Sequence, residues 1–422
     1  MKIKLWYILS VIVVIFWACN DKEVYDPDAG KKVEDLKVPQ GFDWKMTKDV
    51  KLVFHSNVPT GVTVYADKAA SVVLAEMNVR PEGTTCFVNV GKEASAVYVK
   101  YTQENGKETI EPVAFSPVTR ADADRANWIG KWEVEKAKEN EMVDGIKWVA
   151  YYPSKNSCGT LLFEDMWPKM GDYDFNDVAV WYQIRMHSLK SKIKEPDDEI
   201  KDVKKIEIAV RLNALGGSYP CDFCLSFDED RDDIEKIEVS DGVGTCRWEN
   251  RDKKEDALFV FSWPGIKTER YYNTETAVSN DMLDKNWVLL TIWLKEDEDI
   301  EFDDFDFFIR RTDNQYEIHL KGYEPTKDFE NRYEEIVREN EELNPDDDYA
   351  YMTKDGYVWG LNLPWAINHA KESVNFCDAY DGFAEWITSG GKDNQNWYKP
   401  NKDKANRVDM VPSNHGGISY FK

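Results

Sequence analysis

The residues most able to do chemistry lie within Leu161 to Met186, LLFEDMWPKMGDYDFNDVAVWYQIRM. Six of them carry oxygen ligands close together: Glu164 and Asp165 at the end of an apolar run, then Asp172, Asp174, Asn176 and Asp177 after a turn at Met170-Gly171. A calcium ion takes about six to eight oxygens, preferably carboxylates on a bent backbone. Asp172, Asp174 and Asn176 sit like the first, third and fifth positions of an EF-hand loop. The likeness stops there, because Asp177 stands where that loop needs Gly and Gln183 where it needs a bidentate Glu. A cation here belongs to a β-type site completed by Glu164 or Asp165. The competing reading has Asp172 and Asn176 capping turns through Asx hydrogen bonds.

Strands must position these residues. Leu161 to Phe163 is apolar and strand-like. From Val178 the chain alternates with period 2, Val178, Val180, Tyr182, Ile184 and Met186 on one face, and Ala179, Trp181, Gln183, Arg185 and His187 on the other. Ile206 to Leu212 alternates as well. Leu258–Trp263, Trp287–Leu294, Phe305–Arg310 and Tyr316–Leu320 read as further strands. Residues 328–343 change period, with Phe329, Tyr333, Ile336 and Val337 on one helical stripe. Tyr349–Thr353 and Tyr357–Leu361 flank Lys354-Asp355-Gly356 as a hairpin, and Tyr380–Thr388 is a short helix ending at Gly390-Gly391.

The N-terminal half is organised differently. Lys2 and Lys4 precede an apolar run of about 14 residues, short of the roughly 20 that span a membrane. Ala18-Cys19 then suggests a lipobox with Cys19 acylated, although Phe16 and Trp17 are bulkier than usual before that cysteine. Residues 1–19 are thus a lipoprotein signal peptide and 20–38 a flexible tether. Asn20-Asp21-Lys22-Glu23 resembles the acidic surface-export signal of Bacteroidota lipoproteins. Residues 39–117 carry short strands at Val50–His55, Gly61–Ala66, Thr84–Val90, Ser95–Tyr101 and Thr109–Ala114, separated by turn signals such as Asn105-Gly106. This is an immunoglobulin-like β-sandwich. Residues 118–157 are charged and mixed, a linker that packs on a neighbour, and 158–422 form one larger β domain.

With a net charge of −25 and no Lys/Arg stripe, the chain offers no groove for a phosphate backbone, so nucleic acid is excluded as a partner. Enzymatic signals are poor: the five histidines fall in no HExxH or HxH pattern, and there is no GxSxG. Cys86, Cys158, Cys221, Cys224, Cys246 and Cys377 are too scattered for a disulfide scaffold and read as free thiols, a bridge from Cys246 to Cys221 or Cys224 being the alternative. Trp181 lies on the more polar face of its strand, and Trp359, Trp365, Trp386 and Trp397 cluster late. They offer a sugar platform or, in the plainer reading, core packing.

The stretch LLFEDMWPKMGDYDFNDVAVWYQI resembles the hallmark of the LruC-domain proteins, a strand, a Gly-Asp-x-Asp-Phe-Asn-Asp turn and a second strand. RLNALGGSYPCDFCLSF, YEIHLKGYEPT, LNLPWAINHA, FCDAYDGFAEWITSGG and NWY follow in the same order, over roughly residues 158 to 400. The resemblance implies an exported, lipid-anchored envelope protein of β-sandwich type without established activity. It also suggests calcium at Asp172, Asp174, Asn176 and Asp177. The expectation is therefore a mostly β protein, the small sandwich followed by an LruC-type β-sandwich domain with one or two short helices. It is held at the outer membrane by its N-terminal lipid and exposed at the cell surface. Its role there is non-catalytic binding or adhesion to a glycan or protein ligand, with a structural calcium ion. The alternatives are a dedicated glycan-binding lipoprotein and a carbohydrate-active hydrolase, the latter needing a cleft with two carboxylates about 5 to 9.5 Å apart.

Overall fold

The computed structural model describes residues 32–118, 127–142, 145–189, 203–240, 242–249, 255–266, 271–399 and 418–421. Cys19, the expected signal peptide and the expected tether up to residue 31 lie outside them. The described chain is mostly β, as its alternating apolar patterns predict.

The first strands are β1 (Thr47–Ser56), β2 (Thr60–Tyr65), β3 (Val73–Val79), β4 (Thr84–Gly91), β5 (Ala96–Thr102), β6 (Glu108–Pro117) and β7 (Trp128–Val134). β1 pairs with β4 antiparallel and with β7 parallel, while β2 pairs with β3 and β5. β6 passes from one layer to the other. Its first part, to Ala114, pairs with β5, and Phe115 to Pro117 pair with β7. Val50, Leu52, Phe54, Val62, Val64, Val88, Val97 and Val99 meet between the layers, all almost fully buried. Half-buried strands with period 2 can hide their apolar side chains only against a second such layer.

The expected linker at 118–157 contributes two strands, β7 and β8 (Ile146–Tyr152). The many Lys and Glu residues conceal a clean alternation in Gly130-Lys131-Trp132-Glu133-Val134, buried at every second position. β8 pairs with β3 on one side and with β10 (Val178–Leu189) on the other, joining both halves of the chain in one sheet. That sheet continues through β11 (Val203–Ala214), β16 (Trp287–Glu298) and β13 (Ile234–Val239), with β9 (Gly159–Phe163) and β19 (Gly360–Leu363) beside β10. A five-stranded sheet of β14 (Thr245–Trp248), β15 (Asp256–Ser262), β12 (Cys221–Asp230), β17 (Phe305–Arg311) and β18 (Glu317–His319) completes the second sandwich.

Helices are short: α1 (Asn280–Leu283), α2 (Lys327–Glu339), α3 (Phe376–Ala379) and α4 (Phe383–Thr388). α2 buries the expected stripe of Phe329, Tyr333 and Ile336, and Tyr333 stacks on the buried Trp167 at 5.7 Å. The helix expected at 380–388 forms as α4 over 383–388, starting after Gly382 with its φ of 88°; the separate turn of α3 precedes it. The turn at Gly356 forms, but after the Met352–Val358 bridge the returning chain leaves to pair with β9 as β19.

A correction concerns the tether, expected to reach residue 38. Val33 and Leu36 are buried, and Trp44 and Phe42 pack edge-on against Trp386. The N-terminal segment thus shares a second aromatic core with α3, α4, Tyr173 and Phe175. Four of the five tryptophans considered as a sugar platform belong to packing, and Trp365 is half-buried against the second core. Trp181, Trp359, Trp386 and Trp397 are all buried, with Trp181 under the Arg211 guanidinium at 3.9 Å. Among the described residues the six cysteines are free thiols. Cys221 and Cys224 on β12 are separated from Cys246 on β14 by the intervening β15, about two strand spacings of roughly 4.8 Å each, beyond the reach of a disulfide.

Candidate metal centre

β9 ends at Phe163 and delivers Glu164 and Asp165 to the mouth of the following loop; β10 begins at Val178, just after Asp177. Between them Tyr173 and Phe175 take left-handed φ values of 56° and 51°. Such conformations are uncommon for large side chains and persist only where packing enforces them. Here both rings are buried in the second core, while the Asp174 carboxylate lies close to Glu164 and Asn176 Oδ1 turns towards Gly216. The alternation of aromatic and oxygen-bearing residues in Asp-Tyr-Asp-Phe-Asn is therefore a two-sided device, one side an anchor and the other a ligand set.

One carboxylate oxygen from each of Glu164, Asp172 and Asp174 lies within 4.8 Å of the others. Glu164 and Asp174 are buried and Asp172 is exposed. Some of their acceptor capacity is used locally. Glu164 Oε1 accepts from the Phe175 N–H at 2.7 Å, Asp174 Oδ1 from the Asn176 N–H at 3.2 Å, and Asp174 Oδ2 from the Ser373 N–H at 2.7 Å. The Asx hydrogen bond is therefore present, but it does not exhaust the cluster. Glu164 Oε2, Asp165 Oδ1, Asn176 Oδ1 and Glu372 Oε2 are buried with no hydrogen-bond partner. Buried acceptors are normally paired, since each unpaired one costs about 1–3 kcal/mol.

Asp165 and Asp177 lie beside this trio. The Asp165 N–H donates to Asp177 Oδ2, and the Tyr219 N–H to Asp165 Oδ2, both at 2.7 Å. Glu372, in the loop before α3, was not singled out in the sequence. It stands 195 positions after Asp177, and no spacing rule connects them. A Cβ on Gly216 would lie 2.1 Å from Asn176 Oδ1 and 3.0 Å from Glu372 Oε2, so both side chains crowd against that glycine. The adjacent glycines at 216 and 217 were the available signal, marking a strand end where other groups approach the backbone closely.

Electrostatics express the same crowding. Burial, then Asp174 and Asp172, hold the Glu164 carboxyl well above its ordinary range. Burial and Asp172 push Asp174 up to about 8 and Glu372 up to about 7. Asp177 is raised by burial, Glu164 and Asp165. Among the described residues no lysine or arginine forms an ion pair with Glu164, Asp172, Asp174, Asp177 or Glu372. Buried carboxylates in such numbers either hold protons or surround a cation. The donor set is all oxygen, which suits a hard ion such as calcium.

Gly171 provides a local test. A Cβ there would stand 1.8 Å from Glu164 Oε2. Its φ is not left-handed, so Gly171→Ala acts through this contact rather than through backbone strain. The variant is expected to fold, with unchanged circular dichroism, and to lose at least about tenfold in calcium affinity, roughly 1.4 kcal/mol. Wild-type affinity in the variant would show that Glu164 is not a ligand.

The fold and site together define a two-sandwich, β-rich protein with a buried acidic loop centre. Residues 201–398 match a protein family described as a domain of unknown function, DUF4842. That match takes in Glu372, Gly216 and Gly217, while Glu164 to Asp177 precede it. It overlaps the region resembling LruC-domain proteins but carries a different family description. No curated protein matches the chain. The fold is similar to the crystal structure of a "putative lipoprotein" from Bacteroides ovatus, with a TM-score of 0.63 and 21% identity, covering 84% of this chain and all of the other.

Proposed function

We propose that this protein is a lipid-anchored lipoprotein of the outer membrane, facing outward, with a non-catalytic binding or adhesion role. In this reading one calcium ion organises its LruC-type domain. The observation carrying the calcium assignment is the unpartnered, fully buried Glu164 Oε2 beside the carboxylates of Asp172 and Asp174. Asp172 is exposed, and Asp165, Asn176, Asp177 and Glu372 offer further oxygens beside the trio. Burial of Glu164 and Asp174 favours a structural ion over hydrolysis. Lipid anchoring is supported by Lys2, Lys4, the apolar run and Ala18-Cys19, together with the description of the Bacteroides ovatus protein.

Two experiments test the reading. Equilibrium dialysis of the full-length protein in detergent should find one calcium bound per chain, and none after Asp174→Ala. Absence of calcium binding in the wild type would remove the assignment. Labelling cells with a fatty-acid analogue should tag the wild-type protein and leave Cys19→Ser unlabelled; equal labelling of both would place the anchor elsewhere.

A further inference from the structure

A cleft of about 650 Å³ opens between the two sandwiches, away from the acidic centre. Lys48 and Asp49 of β1, Asn89 of β4 and Trp128 of β7 line one wall, with Lys321 and Tyr323 after β18 on the other. Its volume falls within the roughly 300–1,000 Å³ typical of small-molecule sites, enough for two or three sugar rings.

The lining combines donors and acceptors that the protein leaves unmatched. Asn89 is 5% exposed, and its Oδ1 is buried without a hydrogen-bond partner; its Nδ2 donates to Asp49 at 2.8 Å. The Lys48 ammonium lies 4.0 Å from the centre of the Trp128 ring, and that of Lys321 lies 4.8 Å from the Tyr349 ring. Among the described residues neither lysine forms a salt bridge with a carboxylate. By contrast Lys45 is paired with Asp303, and Lys92 with Asp43. Acidic and basic side chains therefore nearly balance around the cleft, despite a net charge of −25 over the whole chain.

We propose that this cleft binds an uncharged oligosaccharide of two or three rings. An anion would satisfy the lysines and leave Asn89 Oδ1 and Asp49 facing negative charge; a cation would do the reverse. Sugar hydroxyls both donate and accept, so one neutral ligand can answer Asn89, Asp49, Lys48 and Lys321 together. The half-buried rings of Trp128 and Tyr323 supply apolar surface for the C–H faces of the sugars. The glycan contact considered for the late tryptophans is thereby moved to aromatic residues that border open space.

The test uses the full-length protein in detergent on an array of neutral and acidic oligosaccharides, followed by calorimetry on the binders. Neutral di- to tetrasaccharides are expected to bind, with affinity changing less than twofold between 50 and 500 mM salt. Trp128→Ala and Lys321→Met, at separate positions on opposite walls, should each weaken binding at least tenfold. Asp174→Ala, in the acidic centre, should leave it within twofold, which separates this proposal from the calcium assignment. The proposal is overturned if no neutral glycan binds. Binding confined to acidic glycans and lost at high salt, or binding indifferent to both cleft variants, overturns it equally.

Discussion

Chelating calcium is expected to lower the melting temperature of this protein, by a loss that grows as pH rises. An ion that binds only the folded form stabilises it by about 2.7 kcal/mol at a free concentration one hundred times its Kd. For a chain of this size that corresponds to a shift of about 3 °C. The pH dependence follows from the carboxylates. In the metal-free fold Asp174 titrates at about 8 and Glu372 at about 7, against ordinary values of 3.8 and 4.5. The folded state then holds protons that the unfolded chain has already released. Stability of the chelated protein therefore falls as pH rises from about 4 towards 8, for Asp174 on the order of 1 kcal/mol per pH unit across that window. Calcium replaces those protons, so the loaded protein should be nearly flat over the same range.

Asp174→Asn sharpens the expectation. The amide keeps one oxygen for either the Asn176 or the Ser373 N–H and leaves the other N–H without its acceptor, but it removes the buried charge. At pH 8 the chelated variant should be at least as stable as the chelated wild type, while its response to calcium disappears. Scanning calorimetry with chelator and with calcium measures both. A wild type whose melting temperature ignores calcium at pH 8 would end the metal reading and leave the loop as a turn locked by hydrogen bonds alone.

The second large effect is at His319, whose ring is fully buried between two carboxylates. Its Nδ1 lies 2.6 Å from Asp306 Oδ2 and its Nε2 3.3 Å from Glu317 Oε2. The ring also stacks on Phe308 at 4.1 Å. Burial disfavours its charge, but Asp306 and Glu317 outweigh burial and hold the imidazolium up to about 9. His319→Leu leaves two acids facing an apolar side chain. Breaking a buried ion pair from one side costs about 3–5 kcal/mol, and urea unfolding should show a loss of that size. For the wild type the raised value fixes the direction. The stabilisation is complete below about 6.5 and is lost as pH rises through 9. This loss persists in calcium, which distinguishes it from the acidic centre. A penalty below about 1 kcal/mol in the variant would mean that Asp306 and Glu317 find other partners.

Much of this architecture could be read from local pattern. Period-2 alternation located β10 and β11, and an apolar stripe with helical spacing located α2, because both patterns reflect one face meeting a core. Where charge obscured the alternation, as in Lys131 and Glu133, a strand passed for a linker. The tryptophans of the late cluster were legible as aromatic but not as buried, since burial depends on what covers a residue. Phe42 and Trp44, more than 300 positions before Trp386, are part of that cover.

The acidic loop divides the same way. By itself the sequence determined its chemistry: six oxygen-bearing residues in Glu164 to Asp177, on strands rather than an EF-hand helix pair. Only the tertiary structure decided which oxygens converge. Left-handed turns at Tyr173 and Phe175 aim Asp174 and Asn176 inward, two glycines just after β11 close one side, and Glu372 arrives from a distant loop. Short-range spacing encodes the first because side-chain direction follows backbone periodicity. The rest depends on packing between segments far apart in the chain, and no local pattern carries that.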